Sequence, residues 1–277
     1  MKKIVIVTGA SSGMGKEFAF QISADTDADE IWLIARRIDK LNELCRELVD
    51  LRNEGIKADV KRPFPCAVGL DIAGQKGAEN FALLLENEKK RDEKSGGFSI
   101  TMLVNNAGFG TYGPFEETSV TRELDMIELN CTSLTGICGY ALPYMSKGST
   151  IINTASLASF LPLGNFAVYG ATKAYVLSFT MALAAEIKHR GIKVCALCPG
   201  PVSTEFAKVA SNGARKEVKH GLSAESVVTH CLKHTKKGKH TAIMGFKWKF
   251  KAVASRFISQ YAGAWFTYTY CKRPHNS

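Results

Sequence analysis

The sequence lacks any hydrophobic run of the roughly 18 to 20 residues that a membrane-spanning helix needs. Its first apolar run, Ile4 to Val7, is too short for the core of a secretory signal, and no cleavage-site pattern follows it. Apolar residues make up 45% and charged residues 22% of the 277 positions, which is typical of a soluble globular protein. We therefore expect a cytoplasmic chain folded as one domain.

The sequence also lacks the cysteine density of a disulfide-stabilised scaffold. Its eight cysteines are scattered along the chain. Cys195 and Cys198 have the CxxC spacing of some metal and redox sites, but no second pair of ligands has a matching spacing. Both lie in an apolar run that is typical of a buried strand. We predict no metal site.

Acidic residues are absent from the C-terminal part of the chain. From Ser226 onward there is no Asp or Glu, against ten Lys and Arg, so the net charge of +10 belongs to this part. The segment 246–277 also carries nine aromatic residues, and its apolar residues recur at steps of three and four. This pattern predicts a basic amphipathic helix. Its apolar positions are Phe246, Phe250, Val253, Phe257, Tyr261 and Trp265.

Three roles stay open for this segment, which we treat as an extension of a catalytic domain at residues 1–245. The helix packs on the domain or forms a subunit interface, it makes a peripheral contact with an anionic membrane surface, or it is a lid that attracts an acidic substrate. Nucleic-acid binding is not favoured, because no recognised binding module is present.

Short β-rich runs alternate with longer helical patterns along the chain, which is typical of an α/β fold. Most of these runs are continuously apolar, as in strands buried on both faces. We predict a Rossmann-type doubly wound parallel sheet of about seven strands with helices on both faces. The predicted strands are Ile4 to Val7, Ile31 to Ile34, Cys66 to Leu70, Thr101 to Val104, Thr150 to Asn153, Lys193 to Leu197 and Thr241 to Met244. The charged segment Glu86 to Gly97 is predicted to be an exposed loop that extends a surface helix.

The first predicted strand ends in a glycine-rich turn, TGASSGMG, and a helical pattern follows. The backbone N–H groups of such a turn, with the N-terminus of the next helix, bind a pyrophosphate. Gly9 permits the tight turn, Gly13 lets the backbone approach the phosphates, and Gly15 lets the helix pack closely on the strand. The turn therefore predicts a dinucleotide site. Ser11, Ser12 and Met14 are its other candidate contacts.

The end of the second predicted strand indicates which dinucleotide binds. NAD sites usually carry an acidic residue there, which binds the ribose 2′-hydroxyl, but this sequence has Arg36 and Arg37. A carboxylate repels a 2′-phosphate, whereas a guanidinium binds it through two parallel hydrogen bonds. We predict NADP(H) as the cofactor, with Arg36 as the main contact and Arg37 as the second. The alternative is that both are solvated charges at a helix start.

Tyr169 and Lys173 lie four residues apart in the helical pattern YGATK, so their side chains share a helix face. A free phenol has a pKa near 10, and a neighbouring ammonium lowers it, which makes proton transfer feasible at neutral pH. Ser156, after the fifth predicted strand, is placed to hydrogen-bond a substrate oxygen beside Tyr169. These residues indicate chemistry in which charge develops on an oxygen during hydride transfer.

Four motifs occur in order: TGASSGMG, NNAG, Ser156 with YGATK, and PGPVST. Together they resemble the short-chain dehydrogenase/reductase family, and the likeness covers roughly Lys3 to Phe206. The resemblance implies an oxidoreductase that forms dimers or tetramers.

The resemblance also implies a role for each matching residue. Ser156, Tyr169 and Lys173 form a catalytic triad, and Asn130 is a fourth catalytic residue that holds a water linking Lys173 to solvent. The alternative for Asn130 is a buried amide that ties two helices together. Lys173 also binds the nicotinamide ribose, and Asp71 contacts the adenine. The other implied cofactor contacts are Asn106, Ala107, Gly108, Tyr169, Pro199, Gly200, Val202 and Thr204.

Apolar residues near these motifs are candidates to line a substrate pocket, and they suit a lipophilic ketone or a steroid-like substrate. The candidates are Phe109, Leu157, Phe160, Phe166 and Phe206. The main hypothesis is that the protein interconverts a carbonyl and a secondary alcohol with NADPH, with Tyr169 as general acid/base. One alternative is a hydroxysteroid or bile-acid dehydrogenase that works in the oxidative direction. The other is a dinucleotide-binding sensor without turnover.

Overall fold

Seven parallel strands form a twisted sheet, described by a computed structural model for residues 1–57, 61–93, 96–216, 218 and 221–276. The strands are β1 Lys2–Thr8, β2 Glu30–Ala35, β3 Phe64–Gly69, β4 Phe98–Asn105, β5 Thr150–Thr154, β6 Lys193–Leu197 and β7 Thr241–Ala242. Their order in the sheet is β3-β2-β1-β4-β5-β6-β7. Every predicted strand is present, although β7 is shorter than predicted, and the predicted fold class is confirmed.

Helices pack on both faces of the sheet, as the alternating pattern predicts. They are α1 Gly13–Ala24, α2 Ile38–Lys57, α3 Gly74–Asp92, α4 Val120–Ile127, α5 Leu134–Ala141, α6 Ala167–Glu186, α7 Phe206–Ala210, α8 Ala224–Lys236, α9 Phe246–Ala254 and α10 Gln260–Tyr270. A π-helical turn, Glu128–Ser133, joins α4 to α5.

Alternate side chains of each strand enter two separate cores. In β1, Ile4 and Ile6 join the core beneath α3, α5 and α6, whereas Val5 and Val7 join the core beneath α1, α2 and α8. All four side chains are fully buried. A strand buried on both faces needs apolar residues at consecutive positions, which is why the strands stand out as apolar runs in the sequence.

The two cysteines of the CxxC pair enter different cores. Cys195 lies in the core beneath α1, α2 and α8, and Cys198 lies in the core beneath α3, α5 and α6. Within the described ranges, no group of three or more His, Cys, Asp or Glu side chains is arranged to hold a metal ion. The helices of these ranges also include none that is both long and apolar enough to cross a membrane.

The charged segment Glu86 to Gly97 is not the exposed loop that the sequence predicts. Its first part continues α3 as far as Asp92, and residues 94 and 95 lie outside the described residues. Glu88 is only 5% exposed, and its carboxylate pairs with Lys2 at the start of β1. Asp92 pairs with the same ammonium at 2.9 Å. These ion pairs join residues far apart in the chain, which helical periodicity does not reveal.

The C-terminal extension forms two helices joined by a short 3₁₀ turn, rather than one amphipathic helix. The six apolar residues that predicted a packed face are all exposed to solvent. Their exposure runs from 53% for Trp265 to 85% for Phe246 and Phe257. The helices of the extension therefore pack on the domain through residues other than these six.

Small and polar residues attach these two helices to the domain instead. Ala252 in α9 and Gly263 in α10 are buried. The Thr267 hydroxyl accepts a hydrogen bond from the Gly164 N–H at 2.8 Å, and the Asn165 amide donates to the carbonyl oxygen of residue 268 at 2.9 Å. These contacts hold α10 against the loop that leads into α6 and leave most of the bulky side chains of the extension on the outside.

The packing of α1 on the end of β1 generates a test of stability. A Cβ at Gly15 would overlap the backbone carbonyl group of Gly9, and backbone atoms cannot move aside as a flexible side chain does. We expect Gly15→Ala to lower the free energy of unfolding by about 1 to 3 kcal/mol, the usual cost of overpacking. Urea unfolding followed by circular dichroism measures this change.

Gly139 provides the matched control for that substitution. It lies exposed inside α5, and no atom is within 4 Å of a Cβ added there. Gly139→Ala should raise the free energy of unfolding by roughly 0.5 to 1 kcal/mol, because alanine loses less backbone entropy in a helix. Equal effects of the two substitutions would contradict the steric role of Gly15.

Candidate active site

The carboxyl ends of the strands open into a cleft of about 1280 Å³. The chain order reverses between β1 and β4, which is the position where open α/β sheets bind ligands. The volume exceeds the roughly 300 to 1,000 Å³ that is usual for one small molecule. The cleft therefore has room for a dinucleotide and a second molecule.

The turn after β1 is shaped to receive a phosphate group. Gly9 has a φ angle of +66°, and a Cβ there would lie 2.8 Å from the Cα of Ala107. The N-cap of α1, Ser12, makes no side-chain cap hydrogen bond, and the first turn of α1 contains no acidic residue. The N-terminal N–H groups of α1 are thus available to an anion. Gly9, Ser11, Ser12, Gly13 and Met14 line the cleft. These residues fit a bound pyrophosphate, with Gly15 packed behind them.

Thr8, which the sequence analysis missed, fastens β1 to the loop after β4. Its hydroxyl accepts hydrogen bonds from the N–H groups of Asn106 at 3.0 Å and Ala107 at 3.1 Å. The Asn106 amide donates in return to the carbonyl oxygen of Gly9 at 3.4 Å. Asn106, Ala107 and Gly108 consequently form the cleft wall beside the glycine-rich turn. The position of a threonine at the end of an apolar strand could have predicted this contact.

The two arginines after β2 have different surroundings. Arg37 donates to the hydroxyls of Ser11 at 3.0 Å and Ser12 at 2.8 Å, and it pairs with Glu205 at 3.0 Å. Arg36 is exposed, lines the cleft and makes no side-chain hydrogen bond or ion pair within the described ranges. Arg36 is therefore available to an incoming anion, whereas Arg37 is held by the glycine-rich turn.

The loops after β3 and β6 complete the dinucleotide part of the cleft. The Asp71 carboxylate lines it and accepts a hydrogen bond from the Ala73 N–H at 3.1 Å. Pro199, Gly200, Val202 and Thr204 line it after β6. Trp248 of α9 also lines the cleft, and its ring lies 3.0 Å from the position of a Cβ on Gly200. No motif in the sequence predicted that the C-terminal extension reaches this wall.

Ser156, Tyr169 and Lys173 meet where α6 passes the end of β5. The ammonium of Lys173 lies 5.7 Å from the centre of the Tyr169 ring and donates to the carbonyl oxygen of Thr154 at 2.7 Å. The Ser156 hydroxyl accepts a hydrogen bond from the Ala158 N–H at 3.1 Å, which holds this side chain at the start of a 3₁₀ turn. All three residues line the cleft, as their spacing predicts.

Burial shifts the pKa values of this group. It raises the pKa of the Tyr169 phenol, and the neighbouring Ser156 hydroxyl opposes that shift. It also lowers the pKa of Lys173 to about 8. The shift of the phenol is thus opposite to the one that the sequence predicts for a phenol beside an ammonium, because loss of hydration favours the neutral form.

Asn130 lies in the π-helical turn and is 1% exposed. Its amide N–H groups donate to the carbonyl oxygen of Phe109 at 2.9 Å and to the Thr172 hydroxyl at 3.1 Å. Its amide oxygen accepts the Phe109 N–H at 3.2 Å. Both amide hydrogens are used, so Asn130 ties the loop after β4 to α6 beside Lys173. The catalytic assignment of Asn130 stays a prediction.

Four of the five predicted substrate residues line the cleft: Phe109, Leu157, Phe166 and Phe206. Phe166 stacks on Tyr169 with ring centres 4.1 Å apart, and the Phe206 ring lies 5.4 Å from Tyr169. Phe160 lies elsewhere: it packs against a core and lines a separate cavity beside α8 and α9. Its assignment to the substrate pocket is corrected, because apolar character does not distinguish a core side chain from a pocket side chain.

Comparison with known proteins identifies the family. Residues 90–215 match the family model described as short chain dehydrogenase. An uncharacterized oxidoreductase of Staphylococcus epidermidis is 30% identical over 229 residues, which cover 82% of this chain and 90% of that protein. Sulfoacetaldehyde reductase 2 of Chromohalobacter salexigens is 30% identical over 77% of this chain and 78% of its own length.

A solved structure supports the fold. The short-chain dehydrogenase from Sphingobium yanoikuyae in complex with NADPH superposes with a TM-score of 0.74 at 24% identity, covering 92% of this chain and 93% of that one. The strand order, the cleft at the switch point and the relatives agree. The chain belongs to the short-chain dehydrogenase/reductase family and is an NAD(P)-dependent oxidoreductase that acts on CH–OH and C=O groups.

Proposed function

We propose that the protein reduces a carbonyl group to a secondary alcohol with NADPH, and that Tyr169 donates the proton. The observation that carries this proposal is the meeting of Ser156, Tyr169 and Lys173 in the cleft that also contains the glycine-rich turn. The apolar rings of Phe166 and Phe206 beside Tyr169 favour a substrate with an apolar body.

The cofactor preference rests on Arg36. The glycine-rich turn and the start of α1 would hold the pyrophosphate, Asp71 the adenine end, and Lys173 the nicotinamide ribose. Arg36 follows β2 directly, lines the cleft and makes no side-chain hydrogen bond or ion pair in the described residues, so it is the group that would bind a 2′-phosphate. When bound, NADPH supplies the hydride.

The side chains of the chain itself would then perform the proton chemistry. The Ser156 hydroxyl donates a hydrogen bond to the substrate oxygen and orients it. The phenol of Tyr169 donates its proton to that oxygen as negative charge develops there. Lys173 stabilises the phenolate that results. Asn130 holds the loop after β4 in place and acts as a positioning residue.

The reductive direction rests on a relative of this chain. That relative is named a reductase of sulfoacetaldehyde, a carbonyl compound. At Tyr169, reduction requires a protonated phenol, whereas oxidation of an alcohol requires a phenolate that accepts a proton.

Arg36→Ala tests the cofactor preference. Charge-assisted hydrogen bonds contribute about 1.5 to 3 kcal/mol, so the Kd for NADPH should rise about tenfold to a hundredfold. The Kd for NADH should change less than twofold. Fluorescence titration with both dinucleotides measures these values without turnover.

Arg37→Ala is the matched control, because Arg37 is already bound to Ser11, Ser12 and Glu205. We expect a smaller loss than for Arg36→Ala, and one that is similar for both dinucleotides. A loss for Arg36→Ala that is equal for NADPH and NADH would show that Arg36 is structural and would remove the basis for the NADPH preference.

Tyr169→Phe tests the proton donor. General acids contribute about 10² to 10⁴ in rate, so kcat should fall by that factor while the Kd for NADPH stays within about twofold. The assay follows NADPH absorbance across ketones, aldehydes, oxo-steroids and oxo-bile acids. Tyr175→Phe on the exposed side of α6 is the control and should keep the wild-type rate. A Tyr169→Phe enzyme that keeps most of the wild-type rate would refute the assignment. If the wild-type protein binds NADPH but reduces none of these compounds, the sensor alternative is favoured.

A further inference from the structure

Arg273, which follows α10, reaches into the active-site cleft. Its guanidinium lies 4.9 Å from the centre of the Phe166 ring and 5.8 Å from that of Tyr112. It donates one hydrogen bond, to the carbonyl oxygen of Gly164 at 3.3 Å. Since Phe166 stacks on Tyr169, Arg273 is one aromatic ring away from the proposed proton donor.

The positive charge of Arg273 is not balanced within the described ranges. No carboxylate there lies at ion-pair distance from it, and Arg215, a second cation, lines the same cleft. Burial lowers the pKa of Arg273, and the charge of Arg215 also acts to lower it. Four carboxylates line the cleft, and none of them pairs with Arg273. Glu205 pairs with Arg37, Glu128 lies against the start of α3, and Asp71 accepts the Ala73 N–H, while Asp125 is the fourth.

A half-buried guanidinium with unused donors and no counter-ion attracts an anion. An arginine has five N–H donors in a planar fork that matches a carboxylate. Among the residues that the structure describes, one of the five makes a hydrogen bond. The structure holds this fork at the edge of an aromatic pocket, which is a suitable place for the charged end of an otherwise apolar molecule.

We propose that Arg273 binds an anionic group, such as a carboxylate, on the substrate whose carbonyl lies at Tyr169. The inference rests on the proposed function and adds the substrate class: a carbonyl compound with an apolar body and an anionic end. The last segment of the chain is thus a specificity element of the site. It corresponds to the lid that attracts an acidic substrate, one of the three roles that the sequence left open.

Matched pairs of oxo acids and their neutral esters test this assignment. The probes are levulinate with methyl levulinate, and dehydrocholate with its methyl ester. The wild-type enzyme should prefer at least one acid to its ester by tenfold or more in kcat/KM. Arg273→Met should remove that preference by lowering kcat/KM for the acid, and kcat/KM for the ester should change less than twofold. Arg273→Lys, which keeps the charge, should retain part of it.

Lys272→Met is the control, because Lys272 is the adjacent cation and does not line the cleft. It should leave both rates unchanged. Equal rates for acid and ester in the wild type, or equal losses in Arg273→Met, would overturn the anion site even if carbonyl reduction holds. If no carbonyl compound is reduced, the melting temperature of the NADP⁺-bound protein with and without the acid tests the anion site. A rise with the acid that Arg273→Met abolishes supports the site, and no rise in the wild type overturns it.

A different observation concerns the outside of α9 and α10. Between residues 246 and 270 these helices expose a set of large apolar side chains, which we call the aromatic surface: Phe246, Phe250, Val253, Phe257, Ile258, Tyr261, Trp265, Phe266, Tyr268 and Tyr270. Lys247, Lys249 and Arg256 are exposed among them, and this part of the sequence contains no acidic residue. Exposed apolar surface of this extent marks an interaction site.

The charge pattern distinguishes between two occupants of the aromatic surface. A two-fold symmetric dimer places the same patch of both copies against itself. Two patches that carry lysines and arginine but no carboxylate would then repel each other. An anionic lipid surface instead attracts the cations, while Trp and Tyr side chains lie at the headgroup level and Phe side chains enter the apolar layer.

We infer that the aromatic surface binds an anionic membrane surface as a peripheral contact. Sedimentation with vesicles tests this inference. The full chain should bind vesicles that contain equal amounts of phosphatidylglycerol and phosphatidylcholine, and it should bind much more weakly to vesicles of phosphatidylcholine alone. Binding should weaken in 0.5 M NaCl, since salt screens the attraction. The double variant Phe246→Ser/Phe257→Ser should bind at least tenfold more weakly.

Phe115→Ser is the matched control, because Phe115 is 58% exposed on a different part of the domain. It should bind vesicles as the wild type does. Lack of binding to anionic vesicles would overturn the inference. So would a dimer in size-exclusion chromatography that the double variant dissociates, because the aromatic surface would then be a subunit interface.

Discussion

The close packing of three backbone segments at the end of β1 is the constraint on which the rest of the site depends. A side chain at Gly9 would overlap the loop after β4, and a side chain at Gly15 would overlap the backbone carbonyl group of Gly9. The Thr8 hydroxyl binds two backbone N–H groups of the neighbouring loop. This packing keeps side chains out of the switch point, and the carboxyl ends of the strands therefore open into one continuous cleft.

Burial then gives the side chains in that cleft their chemical character. The same loss of hydration that raises the pKa of Tyr169 lowers the pKa of Lys173. Keeping an ammonium at a buried position opposes folding, and the hydrogen bond from Lys173 to the carbonyl oxygen of Thr154 offsets part of that cost. Stability and chemistry therefore compete at this position, as is common at active sites.

The C-terminal extension shows how one segment can have two unrelated surfaces. Its small and polar residues lie against the domain, and its end brings Arg273 to the cleft, while its aromatic residues are exposed. Close approach of α10 to the loop before α6 requires small side chains at the contact. The bulky residues are consequently excluded from this contact, although their periodicity resembles that of a buried helix face.

Features that depend on local backbone geometry could be predicted from the residues alone. Apolar runs marked the strands, three glycines marked the turn, and a spacing of four predicted that Tyr169 and Lys173 lie together, because one helical turn separates such positions. Contacts between distant segments became visible only in the folded chain. In the folded chain, Arg273 lies beside Phe166 and Asn130 is hydrogen-bonded to Phe109. Phe160 lies outside the pocket, and the aromatic surface is exposed. These outcomes depend on which surfaces meet in the folded chain, and no periodicity or spacing along the sequence records that.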